Sequence, residues 1–302
     1  MNTSALKSII CLLFLSVSLI ANNTEPTKKS KKERKESRSK VPSYSKEVVQ
    51  DRLDEYKGMI DVRYNREVRS EIRAYTLLAR KSTEKLIGKS SMYFLMIDDS
   101  LRKYNLPREL KYMVIIESRC DIKVKSPAGA VGLWQFMPRT ARKYGLKIDN
   151  YVDERCDPYK STSAAMKYLS DLYARFGDWT LAIASYNCGE GRMQQAMRKA
   201  KSRNFWKVRK ELPKETQLYI PKFIAATYLM DNYLFYDLHP AYPDYDVQMT
   251  KTVIVYERKS FKQIAEDTGY SVELIKRLNP AYKRGIIPPS AEGRYLILPR
   301  LG

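Results

Sequence analysis

Histidine is almost missing from this 302-residue chain: His239 stands alone. That scarcity argues against a Ser-His-Asp triad, a His-paired cysteine nucleophile and a His-rich metal site. Cysteine is scarce too. Cys11 lies inside an N-terminal apolar run, and Cys120, Cys156 and Cys188 follow at spacings that match no zinc pattern. An odd number left in an exported chain means a free thiol or an intermolecular bridge, and small buried thiols are the simplest reading. Acidic residues are outnumbered, with 34 Asp and Glu against 55 Lys and Arg, for a net charge of +21. Such an excess suits a polyanionic surface, whether nucleic acid, anionic lipid or a carboxylate-bearing wall polymer, or else a solvated basic face with no partner. No nucleic-acid motif accompanies it, so nucleic acid is not an expected partner. The apolar run 8–21 falls short of the ~20 residues that span a bilayer.

That run has Lys7 before it and Ala21 at its end, the pattern of a secretory signal peptide over 1–21. Export follows, with membrane contact only if the signal stays uncleaved. Residues 22–45 crowd eight basic side chains between Lys28 and Lys40 and cannot bury enough surface to fold. They read as a disordered spacer or an electrostatic tether to an acidic envelope surface. A helical lead-in is expected over 46–105, with apolar residues at helical spacing in 48–56, 65–80 and 86–104.

Leu106, Leu110 and Met113, with Val114 beside them, form an apolar helical stripe whose next position is Glu117. A carboxyl group there is partly desolvated, which disfavours its charged form and raises its pKa towards that of a general acid. The loop with Ser126, Gly129, Gly132, Trp134 and Gln135 follows. Ser161 is the expected N-cap of a core helix ended by Gly177, and a second buried helix over 179–185 runs into Tyr186-Asn187-Cys188-Gly189. Residues 215–236 read as another apolar helix, kinked or restarted at Pro221, with Glu215 and Tyr219 on one face.

Taken in order, Glu117-Ser118, Ser126, Gly129-Ala130, Gly132-Leu133-Trp134-Gln135, Ser185-Tyr186-Asn187 and Glu215-Thr216 with Tyr219-Ile220 resemble the catalytic domain of family 1 lytic transglycosylases. The nearest likeness is to their membrane-bound murein transglycosylase D group, which Asp153-Glu154-Arg155 and Gly177-Asp178-Trp179 also match. The resemblance implies a mainly α, lysozyme-like catalytic domain of the goose-type kind over 106–240, acting on peptidoglycan glycan strands in the periplasm or cell envelope without cofactor or metal. It makes Glu117 the single general acid and base, cleaving between N-acetylmuramic acid and N-acetylglucosamine to leave a 1,6-anhydro ring. It also makes Ser126, Gln135, Tyr186, Asn187 and Glu215 substrate-binding residues, Glu215 alternatively serving to cap its helix. Cys188 and Cys120 depart from the family pattern without removing a catalytic group.

Residues 250–301 read as strand, helix, helix and strand, a small α+β unit that resembles a LysM module, a kind that binds N-acetylglucosamine glycans. Arg258-Lys259-Ser260 stands where such modules carry a Gly-Asp-Thr turn, and 283–293 is longer than usual. The unit is expected either to bind wall glycan or to pack on the catalytic domain. Two other functions stay open: a muramidase that hydrolyses the same bond with Asp121, Asp178 or Glu190 as second carboxylate, and a non-catalytic glycan-binding or wall-anchoring protein.

Overall fold

The computed structural model describes residues 45–56 and 58–300, so the expected signal peptide and all but the end of the basic spacer lie outside the described residues. The chain begins with α1 (Lys46–Asp54), capped by the Ser45 hydroxyl, and α2 (Arg66–Arg73), capped by the Asn65 side chain. The helix expected over 65–80 is interrupted, because its last turn widens into a π-helical segment, Ala74–Leu78, before α3 (Arg80–Lys103). Gly88 in α3 lies against the crossing chain at Ala241, whose carbonyl oxygen sits 2.1 Å from where a Cβ would be. A side chain there would push the two segments apart.

A 3-10 turn, Arg108–Tyr112, leads into α4 (Met113–Ser118), so the apolar stripe before Glu117 is built from two short helical pieces. The helices α5 (Pro138–Lys143), α6 (Pro158–Phe176), α7 (Trp179–Cys188), α8 (Glu190–Ala200), α9 (Phe205–Val208) and α10 (Lys214–Asn232) follow. Ser161 does not cap α6. Asp157 does, its carboxylate accepting from the N–H groups of Tyr159 and Lys160, while Pro158 presets the first helical φ; Ser161 sits one turn inside. Nor does Pro221 restart the last of these helices, which runs unbroken from Lys214 to Asn232 before a 3-10 turn over Tyr233–Tyr236. Ile220, Phe223, Ile224, Ala225, Tyr228 and Leu229 are all buried around Pro221. At about 1.5–3 kcal/mol per large apolar side chain, that burial outweighs the roughly 3 kcal/mol an internal proline costs a helix. The helix packs against α2, α4 and α7, and α7 packs against α6, so the core lies directly beneath Glu117.

After α11 (Tyr245–Gln248), the C-terminal unit contains β1 (Thr250–Val255), β2 (Lys259–Ser260), α12 (Phe261–Thr268), α13 (Val272–Leu278), β3 (Ile286–Ile287) and β4 (Arg294–Pro299). Strands β1 and β4 pair antiparallel, from Thr250 opposite Pro299 to Val255 opposite Arg294. The short β2–β3 pair joins the two stretches where the sequence departs from a LysM repeat. Ser260 and Gln263 close a capping box at the start of α12, so Arg258-Lys259-Ser260 still forms a tight helix entry. Among the described residues no helix is long and apolar enough to cross a membrane.

Candidate active site

Glu117 occupies the last turn of α4, and the chain leaves that helix through two consecutive left-handed residues, Arg119 (φ 52°) and Cys120 (φ 58°). This sharp exit leaves the carboxyl group half-buried at the helix end, with an apolar floor behind it. The buried Ser118 hydroxyl lies 2.8 Å from the carbonyl oxygen of Leu133 and 3.1 Å from that of Val114, joining the helix to the loop over 126–137. From α10, the Tyr219 phenol donates to Oε1 of Glu117. Burial raises the Glu117 pKa to about 7, the Tyr219 hydrogen bond opposes the rise by favouring the carboxylate, and the Glu215 charge adds to it. Burial also holds the Tyr219 phenol well above its ordinary range, so it remains a donor.

The loop is held by groups to which the sequence assigned no role. Arg155 is buried and paired with Asp153 through Nη2 at 2.7 Å and Nε at 2.9 Å, and its Nη1 donates to the carbonyl oxygens of Gly129 at 2.9 Å and Phe136 at 3.1 Å. One guanidinium thus clamps both ends of the 129–136 segment. Gly132 (φ 86°) passes so close to Arg155 that a Cβ would lie 1.9 Å from its carbonyl oxygen, so no side chain fits. The indole N–H of Trp134 donates to Thr162 of α6 at 2.8 Å, and its carbonyl accepts from the Tyr186 phenol at 2.8 Å. The motif Asp153-Glu154-Arg155, noted in the sequence only as a family likeness, is the device that shapes the loop.

The structure brings all six expected site residues to one cavity of about 460 Å³: Glu117, Ser126, Gln135, Tyr186, Asn187 and Glu215. Ser126 closes a tight turn, its Oγ accepting from the N–H of Ala130 at 3.0 Å. Gln135 adopts φ 49°, and its side-chain amide donates to Gly132 at 2.8 Å and Val124 at 3.2 Å. Asn187 accepts from the Thr216 hydroxyl at 2.7 Å, which fixes the orientation of its amide. Glu215 is exposed in the first turn of α10. The tyrosine rings continue the wall, with Tyr186 5.0 Å from Tyr168 and Tyr168 5.0 Å from Tyr144.

Tyr219 and Tyr168 also line this cavity; the sequence placed Tyr219 beside Glu215 and in the family likeness without giving it a role, and did not mark Tyr168. The spacing of Glu215 and Tyr219, one helical turn apart, was the available signal for the first. None of Asp121, Asp178 and Glu190 lines it. Asp178 caps α7 through the N–H of Leu181, Glu190 pairs with Arg175 at 2.9 Å, and Asp121 lies 3.6 Å from Lys89. Among the described residues Cys120, Cys156 and Cys188 are free thiols. Burial pushes Cys188, which borders the cavity, up to about 11, so thiolate chemistry near neutral pH is suppressed.

Residues 94–209 match the family model of the transglycosylase SLT domain, and residues 249–301 match that of the LysM-like domain of lytic transglycosylase MltD. The class is therefore defined by an SLT domain of mainly helical build followed by a small LysM-like domain. Within that class the chain is similar to the membrane-bound lytic murein transglycosylase D of Escherichia coli K12, 33% identical over 217 residues, covering 70% of this chain and 47% of that one. It is also 38% identical over 92 residues to the peptidoglycan transglycosylase gp16 of Escherichia phage T7, covering 30% of this chain and 7% of the phage protein. Among solved structures it matches the 70 kDa soluble lytic transglycosylase of Escherichia coli with a TM-score of 0.39 and 26% identity, over 47% of this chain and 24% of that one. The chain spans about half the length of the murein transglycosylase D it matches.

Proposed function

We propose that this protein is a peptidoglycan lytic transglycosylase that cleaves the bond from N-acetylmuramic acid to N-acetylglucosamine with Glu117 as its single acid and base. The observation that carries this reading is the state of Glu117: a half-buried carboxyl raised to about 7, held by the Tyr219 phenol, at the wall of a sugar-sized cavity. A group with that pKa is populated in both forms near neutrality, as one residue that first donates and then accepts a proton requires. The acid form protonates the glycosidic oxygen as the C1–oxygen bond breaks. The resulting carboxylate takes the proton of the muramoyl C6 hydroxyl, whose oxygen attacks C1 and closes the 1,6-anhydro ring without water. Ser126, Gln135 and Asn187 supply polar contacts to the sugar, Tyr186 a flat apolar wall, and Glu215 a charge at the rim.

None of Asp121, Asp178 and Glu190 lines the cavity, which counts against hydrolysis with one of them as second carboxylate, and Glu215, which does line it, is assigned to substrate binding. The catalytic domain over 106–240 and the LysM-like module over 250–301 are proposed to work on the wall of the cell envelope after export by the 1–21 signal. The module and the basic 22–45 spacer would add affinity for wall glycan. Mass spectrometry of fragments released from purified sacculi tests the reading. Products ending in 1,6-anhydro-N-acetylmuramic acid, absent with Glu117→Gln, are expected; reducing muramic ends would mean hydrolysis, and binding to sacculi without release would mean a non-catalytic protein.

A further inference from the structure

The LysM-like unit does more than sit beside the catalytic domain. It touches the backing of the loop that carries Ser126 and Gln135. Val152, from the segment that leads into Asp153 and Arg155, is 1% exposed and belongs to the hydrophobic core of the C-terminal unit, with Phe261, Tyr282 and Leu296. Next to it the N–H of Asp153 donates to the carbonyl oxygen of Ala281 at 2.8 Å, and the N–H of Lys283 donates to that of Tyr151 at 2.9 Å. Glu154 faces Arg294 of β4 at 3.3 Å, with the two side chains only 11% and 10% exposed. Finally Ala281, Cys156 and Val131 form a small buried cluster of their own, and Val131 lies in the loop itself.

We propose that the C-terminal LysM-like unit is a positioning element for the active-site loop, acting through Arg294, Ala281 and the core that buries Val152 on the 152–156 segment that clamps residues 129–136. Asp153 is fixed from behind by Ala281 and in front orients Arg155, which grips Gly129 and Phe136. Arg294 neutralises Glu154, the residue between them. Removing Arg294 leaves a carboxylate nine-tenths buried without this cation, a costly state that the segment relieves by moving. Any such movement passes straight to the loop. The role assigned to the loop rests on the catalytic reading of Glu117, whereas the mechanical link does not.

Amide hydrogen exchange on the full chain, without substrate, tests the link. The reporters are the N–H groups of Val131 and Phe136, which pair with each other's carbonyl oxygens at 3.2 and 3.1 Å. Arg294→Ala and, separately, Val152→Ala are expected to speed exchange across 129–137 by ~10-fold or more while exchange within α7 stays unchanged. Arg294→Lys is expected to restore most of the protection, which a general loss of packing would not allow. Loop exchange unchanged in both alanine variants would overturn the proposal, as would equal acceleration in α7. Because the readout needs no turnover, it stands even if the sacculus experiment shows the Glu117 reading to be wrong.

Discussion

Replacing Tyr219 with Phe removes one hydroxyl and leaves the apolar surroundings of Glu117 in place. The phenol donates to the Glu117 carboxyl oxygen, and this hydrogen bond is the influence that holds the Glu117 pKa down against burial. A hydrogen bond to a charged group contributes about 1.5–3 kcal/mol net, and about 1.36 kcal/mol corresponds to one pH unit. Losing it should therefore carry the Glu117 pKa upward from about 7 by roughly one to two pH units. Glu117 must be protonated to begin the reaction, so the alkaline limb of kcat/KM for muropeptide release should move upward in Tyr219→Phe by that amount. The assay is release of 1,6-anhydro products across pH 5–10 at constant ionic strength. An alkaline limb that stays in place, or moves downward, would refute the reasoning that desolvation and Tyr219 set the Glu117 pKa against each other.

The charge of Glu215 acts in the opposite sense, so Glu215→Gln should move the same limb downward. Because Glu215 is exposed, that displacement should be smaller than the one in Tyr219→Phe and should shrink in high salt. Glu117 itself costs stability. Its folded pKa of about 7 lies above the unfolded value near 4.5, so the unfolded chain loses the proton first and stability falls as pH rises from about 4.5 to about 7. Glu117→Gln should consequently be more stable than the parent by about 1–3 kcal/mol at pH 8 and indistinguishable at pH 4, as read by thermal unfolding. Thr162→Val should strand the buried indole N–H of Trp134 and lower stability by about 1–3 kcal/mol in urea titrations.

The helical class and the position of the acid were legible because both rest on local pattern. Leu110, Met113 and Val114 are buried on one stripe, and Glu117 follows them with its carboxyl half-desolvated, as the spacing alone implies. The LysM-like order of strand, helix, helix and strand was legible for the same reason. Ser161 misled because a hydroxyl before an apolar run resembles a cap, while Asp157-Pro158, a stronger start, lay four residues earlier. A restart at Pro221 was the wrong alternative because the cost of a proline is local and the burial that overrides it is not. Arg155 and Tyr219 stood in the motifs that carry the family likeness, but their roles were not legible for a related reason. Each acts on a partner far away in sequence, Arg155 on Gly129 and Tyr219 on Glu117, and no periodicity links positions 26 or 102 residues apart.

The claim that one carboxyl group serves as both acid and base, without water, is tested most directly by running the reaction on sacculi in water enriched in oxygen-18. Transglycosylation takes its new C1–oxygen bond from the C6 hydroxyl of the same sugar, so released muropeptides should carry no heavy oxygen at C1 and should be two protons and one oxygen lighter than hydrolysis products. One heavy oxygen per cleaved bond would contradict it and would identify the protein as a muramidase.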